Sequence, residues 1–239
     1  MSEIAARTVA VMDLTRLERP DDEATLDALA ARALTPLGPV AALCVYPEWV
    51  ARVRDAGVPV AAVANFPAGD DDPRLATRDA ATAVAAGASE IDVVVPWRAH
   101  LAGDQAAIAR IVRAVRAEVG EAITIKAILE TGSLPDRETV RASAAQALDA
   151  GADFLKTSTG KHGPGASLPA FEALLEVVLA AGHGGVKASG GVRTLDDASA
   201  YLALADRLMG RPWATPEHVR FGASGLLDDV LARRDEAAS

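Results

Sequence analysis

The chain has 239 residues, half of them hydrophobic, which is enough to bury a large core and is typical of an α/β barrel that forms one domain. Its formal net charge is −9 and it has no long basic run, which argues against a nucleic-acid partner or an anionic membrane. Its one cysteine, Cys44, cannot form an intramolecular disulfide, and no charged and then apolar leader opens the chain, so we expect a reducing, cytoplasmic setting. No apolar stretch reaches about 18 residues without a charge, so the sequence predicts no membrane span.

Short β-branched runs alternate with longer alanine-rich amphipathic segments, which is the pattern of β/α units around a parallel sheet. There are eight such pairs. The predicted strands cover 8–13, 41–46, 60–65, 91–96, 123–130, 154–157, 185–189 and 219–223. The helices are predicted to begin near Asp22, Pro47, Asp72, Asp104, Asp136, Ser167, Leu195 and Gly225.

Eight units of about 30 residues predict a single-domain (β/α)₈ barrel, often called a TIM barrel. The rival is an open doubly wound sheet, but the first strand is not followed by Gly-x-Gly-x-x-Gly, and polar residues close almost every strand. No linker or composition shift divides the chain, so residues 1–239 are predicted to form one domain. We expect the tail after about residue 231 to be flexible.

Lysine is rare in this chain: of the 24 Lys and Arg residues only four are lysine. Three of the four, Lys126, Lys156 and Lys187, lie inside short apolar runs at spacings of 30 and 31 residues, which is about one β/α unit. Arginine serves where only a solvated charge is needed, so a retained lysine suggests an amine that must lose its proton. The spacing predicts that the three amines recur at one level of the barrel.

The strand ends are unusually polar, and catalytic groups of such barrels project from the carboxyl ends of strands. The residues at these ends are Asp13, Thr15, Cys44, Tyr46, Asn65, Asp92, Lys126, Glu130, Lys156, Thr157, Lys187, Arg220 and Ser224. Carboxylates and amines that converge on a barrel mouth shift one another's pKa values, which is the setting for amine catalysis.

Lys156 is the candidate nucleophile, because desolvation by its apolar flanks and a neighbouring cation, Lys187, would favour its neutral amine. The alternative is a buried ion-pair lysine satisfied by Asp92 or Glu130. Asp92 lies among apolar residues of a strand, where it could relay protons with Lys187 or simply form a structural salt bridge.

Two glycine loops follow the last two predicted strands: Ser189-Gly190-Gly191-Val192-Arg193 and Phe221-Gly222-Ala223-Ser224-Gly225. Both lead into helices, and this is the usual phosphate position of such barrels. Gly160 and Lys161 could close it, although glycines in tight turns are weak support by themselves. The four histidines show no metal-ligand spacing, so no metal is predicted, and Cys44 is interpreted as a small buried hydrophobe.

Seven collinear segments resemble the deoxyribose-phosphate aldolase family. They are Asp13-Leu14-Thr15, Cys44-Val45-Tyr46-Pro47, Asn65-Phe66-Pro67, Glu90-Ile91-Asp92, the run from Phe154 to Lys161, Lys187 to Arg193, and Arg220 to Ser224. The resemblance implies a metal-free class I aldolase on a (β/α)₈ barrel, which cleaves 2-deoxy-D-ribose 5-phosphate to acetaldehyde and D-glyceraldehyde 3-phosphate. It implies no cofactor other than an imine on a lysine.

The same resemblance implies roles for single residues. Lys156 corresponds to the Schiff-base lysine, and Asp92 and Lys187 to the proton relay. The phosphate-binding positions correspond to Gly160, Lys161, Gly190, Gly191, Val192, Arg193, Gly222 and Ser224. The neighbouring positions Asp13, Thr15, Cys44, Asn65, Lys126 and Thr157 are expected to support the site, and Lys126 has no transferable role.

Two other functions fit the sequence as well. One is a class I aldolase or transaldolase-like enzyme that acts on another phosphorylated sugar, and the other is a sugar-phosphate-binding barrel without catalysis. The expected partners are sugar phosphates and small aldehydes, and family habit together with the frequency of two-fold oligomers favours a homodimer.

Overall fold

The computed structural model describes residues 2–238, and the side chains of 3–234. Eight parallel strands close into a barrel in chain order, which confirms the predicted single-domain (β/α)₈ barrel. The strands are β1 (Met12–Thr15), β2 (Ala42–Val45), β3 (Val60–Ala64), β4 (Glu90–Val94), β5 (Thr124–Ile128), β6 (Phe154–Lys156), β7 (Gly185–Ser189) and β8 (Val219–Ala223).

Ten α-helices surround the described barrel. They are α1 (Ser2–Ala10), α2 (Glu23–Ala31), α3 (Val50–Val53), α4 (Pro73–Ala86), α5 (Trp97–Leu101), α6 (Ala107–Val119), α7 (Arg137–Asp149), α8 (Leu168–Ala181), α9 (Leu195–Met209) and α10 (Leu226–Ala238). Short 3₁₀ turns cover Pro47–Trp49 and Thr131–Ser133, and Leu34–Thr35 pairs with Gly38–Pro39 in a small hairpin.

The helix starts follow the chemistry of their caps. Asp22, Asp72, Asp136 and Ser167 each accept a hydrogen bond from a backbone N–H of the first helical turn, as predicted. Thr194 caps α9 in a capping box with Asp197. These five caps fix where the loops after β1, β3, β5, β6 and β7 turn into their helices.

The first predicted strand, 8–13, is wrong over most of its length, because α1 extends to Ala10 and β1 starts at Met12. Thr8 and Val9 are β-branched, which misled the strand prediction, but they belong to a helical stripe that buries Ala5, Thr8 and Val9. The helix lies against α9 and α10, and Arg7 pairs with Asp206 at 2.8 Å.

Other boundaries shift by a few residues. The helix predicted near Asp104 begins at Ala107, and α5 after β4 was not predicted. The predicted strand 123–130 ends at Ile128, and Glu130 has a left-handed backbone with φ of 54°. The tail after residue 231 is helical as far as Ala238; its flexibility and the domain bounds stay predictions, and residue 239 lies outside the described residues.

The barrel interior has two unlike halves. On the side of β2 and β3, the residues Leu17, Cys44, Tyr46, Ala61 and Val63 form one apolar cluster. The other strands direct charged side chains inward, including the buried lysines on β5, β6 and β7, beside apolar ones such as Phe154, which lies against Arg220. The main apolar core lies outside the strands, between the barrel and its helices. Stability therefore comes mainly from the outer layer, and the interior is left for chemistry.

Candidate active site

The three buried lysines converge on one carboxylate. Lys156 Nζ and Lys187 Nζ both donate to Asp92 Oδ2, at 2.8 and 2.7 Å, and Lys126 Nζ donates to Asp92 Oδ1 at 2.9 Å. All four side chains are 0–2% exposed. Asp92 is thus the meeting point of the amines that the sequence singled out.

Three more charged groups extend this centre. Lys187 also donates to Asp13, and Lys126 to Glu90. Arg220 donates to Asp13 Oδ1 at 2.6 Å and to Glu90 Oε1 at 2.9 Å. We call the seven residues Asp13, Glu90, Asp92, Lys126, Lys156, Lys187 and Arg220 the ion cluster. Ion pairs buried in this way cost several kcal/mol of desolvation per ion, so their presence is better explained by function than by stability.

The prediction that the three amines share one level is correct for two of them. Lys156 lies opposite Lys187 in the register of β6 and β7, whereas Lys126 lies opposite Phe154, two residues earlier on β6. Equal spacing along the chain does not give equal height, because neighbouring barrel strands are staggered. The long lysine side chains nevertheless bring all three amines to Asp92.

The environment separates Lys156 from the other cations. Burial lowers the pKa of Lys156, and repulsion by Lys187 adds to this, against the attraction of Asp92. Burial acts in the same direction on Lys126 and Lys187, but their carboxylate partners outweigh it and raise the pKa of both amines. Lys156 is therefore the amine that most readily becomes neutral, and of the two causes that the sequence suggested, burial contributes more than Lys187.

Asp92 and Asp13 stay ionised. Burial opposes the charge on Asp92, but Lys126, Lys156 and Lys187 more than offset it and hold the pKa of Asp92 well below its usual range. The pKa of Asp13 is lowered in the same way, against its own burial. Burial raises the pKa of the Cys44 thiol, whose Sγ lies 3.9 Å from Asp92 Oδ2, so the thiol stays neutral as expected.

Glycine makes room for one of these amines. A Cβ atom at Gly222 on β8 would lie 2.0 Å from Ser189 Oγ and 3.0 Å from Lys187 Cε. Any side chain at this position would clash with Ser189 and crowd Lys187. Gly222, which the sequence assigned to the phosphate site, therefore also shapes the amine centre.

A hollow of about 190 Å³ opens beside Lys156 at the carboxyl ends of the strands. It contains all eight predicted phosphate-binding residues: Gly160, Lys161, Gly190, Gly191, Val192, Arg193, Gly222 and Ser224. Lys156 and Thr15 also contribute to its wall. The reactive amine and the glycine loops therefore border one space, large enough for a small phosphorylated molecule.

The hollow contains residues that the sequence did not reveal. Glu18, in the loop after β1, lines its wall and accepts a hydrogen bond from Lys161 Nζ at 3.1 Å. An anion that binds Lys161 must compete with this carboxylate. Ser189 and Thr159 also line the wall. Both lie within recognisable segments, but Glu18 follows no sequence signal.

The other expected supporting residues have structural contacts. Thr157 Oγ1 accepts from Ser189 N at 3.0 Å and donates to Ser189 O at 3.2 Å, which ties the ends of β6 and β7 together. Asn65, with φ of 54°, donates to Val94 O and Asp70 O, at 2.9 and 2.8 Å, and so fixes the loop after β3. Thr15 Oγ1 donates to the Asp13 carbonyl at 2.8 Å. Asn65 therefore supports the barrel mouth from outside the hollow.

Gly190 brings two loops into backbone contact, and we predict a cost for an alanine there. Its φ is 80°, and a Cβ would lie 3.1 Å from Gly165 Cα and 3.2 Å from Gly160 Cα. In Gly190→Ala the two loops must move apart, which is expected to cost about 1–2 kcal/mol of stability. The same movement is expected to raise the KM of a phosphorylated substrate about 10-fold. Steady-state kinetics and thermal unfolding will measure both effects.

Gly210→Ala is the matched control for this variant. Its φ of 81° is nearly that of Gly190 and also strains an alanine, but its added Cβ would have no neighbour within 4 Å, and it lies at the far end of α9. We expect a similar loss of stability from strain with an unchanged KM. Equal KM values for the two variants would show that the contact between the loops is irrelevant to binding.

Among residues 2–238, no group of three or more His, Cys, Asp or Glu side chains is arranged to hold a metal ion. Within the same residues no helix has both the length and the apolar character needed to cross a membrane.

Fold and site together define an α/β-barrel enzyme with an amine and carboxylate centre next to a glycine-lined hollow. The family model described as DeoC/LacD family aldolase matches residues 7–229. The chain belongs to this family of aldolases, which are carbon–carbon lyases.

Two relatives show how far the similarity extends. The chain is 41% identical over 235 residues to a curated deoxyribose-phosphate aldolase of Agrobacterium fabrum, covering 96% of this chain and 91% of that protein. It superposes on the tetrameric deoxyribose phosphate aldolase of Aeropyrum pernix with a TM-score of 0.75 at 26% identity, covering 98% of this chain and 92% of that chain. The resemblance drawn from the sequence segments is confirmed.

Proposed function

We propose that the protein cleaves 2-deoxy-D-ribose 5-phosphate to acetaldehyde and D-glyceraldehyde 3-phosphate, reversibly, through an imine on Lys156. The observation that carries this proposal is the buried Lys156 amine, with a lowered pKa, on the wall of a glycine-lined hollow. The high identity to a deoxyribose-phosphate aldolase along almost the whole chain supports this substrate.

The reaction follows from the chemistry of an amine. The neutral Lys156 amine adds to the C1 aldehyde to give a carbinolamine, whose hydroxyl takes up a proton and leaves as water, and a protonated imine results. A base removes the proton of the C3 hydroxyl, the C2–C3 bond breaks, and its electrons move into the imine to give an enamine. Glyceraldehyde 3-phosphate leaves; the enamine then takes a proton at C2, and hydrolysis releases acetaldehyde and the free amine.

Asp92 and Lys187 are the proposed proton carriers. Asp92 Oδ2 accepts hydrogen bonds from both Lys156 Nζ and Lys187 Nζ, each shorter than 3 Å. A proton can therefore pass through Asp92 between the surroundings of the imine and the Lys187 amine. Lys187 remains protonated because its carboxylate partners raise its pKa, and it can therefore donate. The carboxylate also stabilises the positive charge of the imine.

The phosphate is proposed to bind at the glycine loops. Backbone N–H groups of Gly190 and Gly191 lie near the start of α9, and Arg193 and Lys161 supply positive charge to the same hollow. This site would place the phosphate at one end of the substrate and C1 at Lys156.

The test is cleavage of 2-deoxyribose 5-phosphate in the presence of a chelator. We expect unchanged turnover with the chelator, with acetaldehyde and glyceraldehyde 3-phosphate as products, because the proposal needs no metal and no cofactor besides the imine. Loss of activity that added metal restores would contradict it. Preference for a ketose phosphate donor over acetaldehyde in the synthetic direction would point to a different aldolase substrate.

We further propose a cytoplasmic homodimer that uses sugar phosphates and small aldehydes. The single cysteine, Cys44, is buried and needs no oxidising compartment. Two-fold dimers are the commonest soluble oligomers, whereas the relative from Aeropyrum pernix is tetrameric. Light scattering on the purified protein distinguishes the two states.

A further inference from the structure

Lys126 has no part in the proposed reaction, although it is completely buried next to the proposed proton carrier Asp92. It contacts three carboxylates: it donates to Asp92 and Glu90, and its Nζ lies 3.4 Å from Asp13. The lining of the hollow includes Lys156 but not Lys126, so Lys126 is not placed to touch a substrate there.

The ion cluster contains more cations than anions. It joins four cationic side chains, Lys126, Lys156, Lys187 and Arg220, to three carboxylates, Asp13, Glu90 and Asp92. One cation of the four is therefore in surplus. An uncompensated charge is costly in a buried site, so the cluster favours the loss of one proton.

The ion-pair contacts identify the surplus cation. Within 4.0 Å, Lys126 reaches three carboxylates, and Lys187 and Arg220 reach two each. Among the side chains of residues 3–234, Lys156 has an ion-pair contact only to Asp92, which it shares with Lys126 and Lys187. Lys156 is therefore the group that can give up its proton at the lowest cost.

We propose that Lys126 is a positioning residue whose positive charge occupies the carboxylates of the ion cluster and thereby leaves Lys156 as the neutral amine. Without this charge, the three remaining cations would balance the three carboxylates, and Lys156 would have to be protonated for the cluster to be neutral. The inference rests on the proposed function, in which Lys156 is the nucleophile.

Other groups that face Lys156 do not alter this balance. Cys44 on β2 is a neutral thiol because burial raises its pKa. Glu130, after β5, accepts the Thr159 N–H at 3.2 Å and, among the described residues, has no ion pair within 4.0 Å to a cation of the ion cluster; burial raises its pKa. In the loop after β6, Lys161 pairs with Glu18, and His162 Nε2 lies 3.2 Å from the Pro67 carbonyl oxygen.

The test is the pH dependence of kcat/KM for cleavage. In Lys126→Met we expect the acid limb to move to higher pH by about one unit or more, because Lys156 then holds its proton more tightly. Lys126→Arg keeps the charge, so its acid limb should stay at the wild-type pH. The double variant Lys126→Met with Glu90→Gln removes one charge of each sign, and its limb should return towards the wild-type pH.

A structural role alone would lower activity at every pH without moving the limb, and the double variant would then be worse than the single one; either result overturns the inference. If Lys126→Met does not fold, Glu90→Gln is the deciding variant. It increases the surplus of cations and should move the acid limb of kcat/KM to lower pH; an unmoved limb contradicts the inference.

Borohydride trapping of acetaldehyde on the wild-type protein separates the two proposals. No adduct on Lys156 would refute the proposed function, whereas an adduct with an unmoved limb in the variants would refute only the role of Lys126.

Discussion

Lys156→Arg is expected to lower kcat/KM for cleavage of 2-deoxyribose 5-phosphate by about 10⁴-fold or more, because the imine cannot form. Arginine keeps a positive charge near Asp92, but its guanidinium does not lose its proton in proteins, so no nucleophile remains. The measurement is steady-state cleavage, together with the protein mass after treatment with acetaldehyde and borohydride. The wild-type protein should gain one reduced acetaldehyde adduct, and the variant none.

Lys161→Arg is the matched control for the trapping experiment. Lys161 lies on the same hollow but at its rim, where it pairs with Glu18. This variant should still gain the adduct on Lys156, located by mass spectrometry of its peptides. If Lys156→Arg still gains an adduct, on Lys187 or Lys126, the assignment of Lys156 as the nucleophile is wrong.

Asp92→Asn is expected to reduce kcat by about 10²–10⁴-fold while borohydride trapping at Lys156 persists. The amide has the shape of the carboxylate but can neither relay a proton nor balance the amines. Loss of the carboxylate removes the attraction that opposes the lowering of the Lys156 pKa, so the amine becomes still more readily neutral. Imine formation should therefore survive, and the later proton transfers should fail.

The adduct also serves as the folding control, since removing one partner from a buried ion network can destabilise a protein by about 3–5 kcal/mol. Asp27→Asn is a surface comparison: Asp27 pairs with Arg52, and its side chain is 54% exposed. This change should leave kcat and trapping at wild-type values. Loss of trapping in folded Asp92→Asn would mean that Asp92 is needed to form the imine, against the role given to it here.

The reactive part of the centre could be predicted from the sequence because a general rule applies to it. Polar residues at the carboxyl ends of barrel strands face a common mouth, and this rule located Lys156, Lys187 and Asp92. The partners of these residues were harder to predict. Glu90 lies two residues before Asp92 and so faces the same side of β4, a signal that alternation could have supplied. Its pairing with Arg220, 130 positions away, depends on barrel closure.

The errors have local physical causes. In the predicted strand 8–13, β-branched residues suggested extended structure, but the neighbours that decide the matter are α9 and α10, which pack on the segment as a helix. The height of Lys126 depends on strand stagger, which spacing along the chain does not reveal. Glu18 lies in an irregular loop, where no periodicity indicates the direction of a side chain.

The two unlike halves of the barrel interior place different limits on how such a protein can change. In the apolar half around Cys44 and Val63, single substitutions that keep volume and hydrophobicity should be tolerated, as in an ordinary core. In the charged half each side chain contacts two or more others of the ion cluster or shares their partner, so substitutions there are expected to be strongly coupled. Variation over evolutionary time, and in directed evolution of new aldehyde specificity, should therefore accumulate on the β2 and β3 side, whereas the opposite side changes only in compensating pairs.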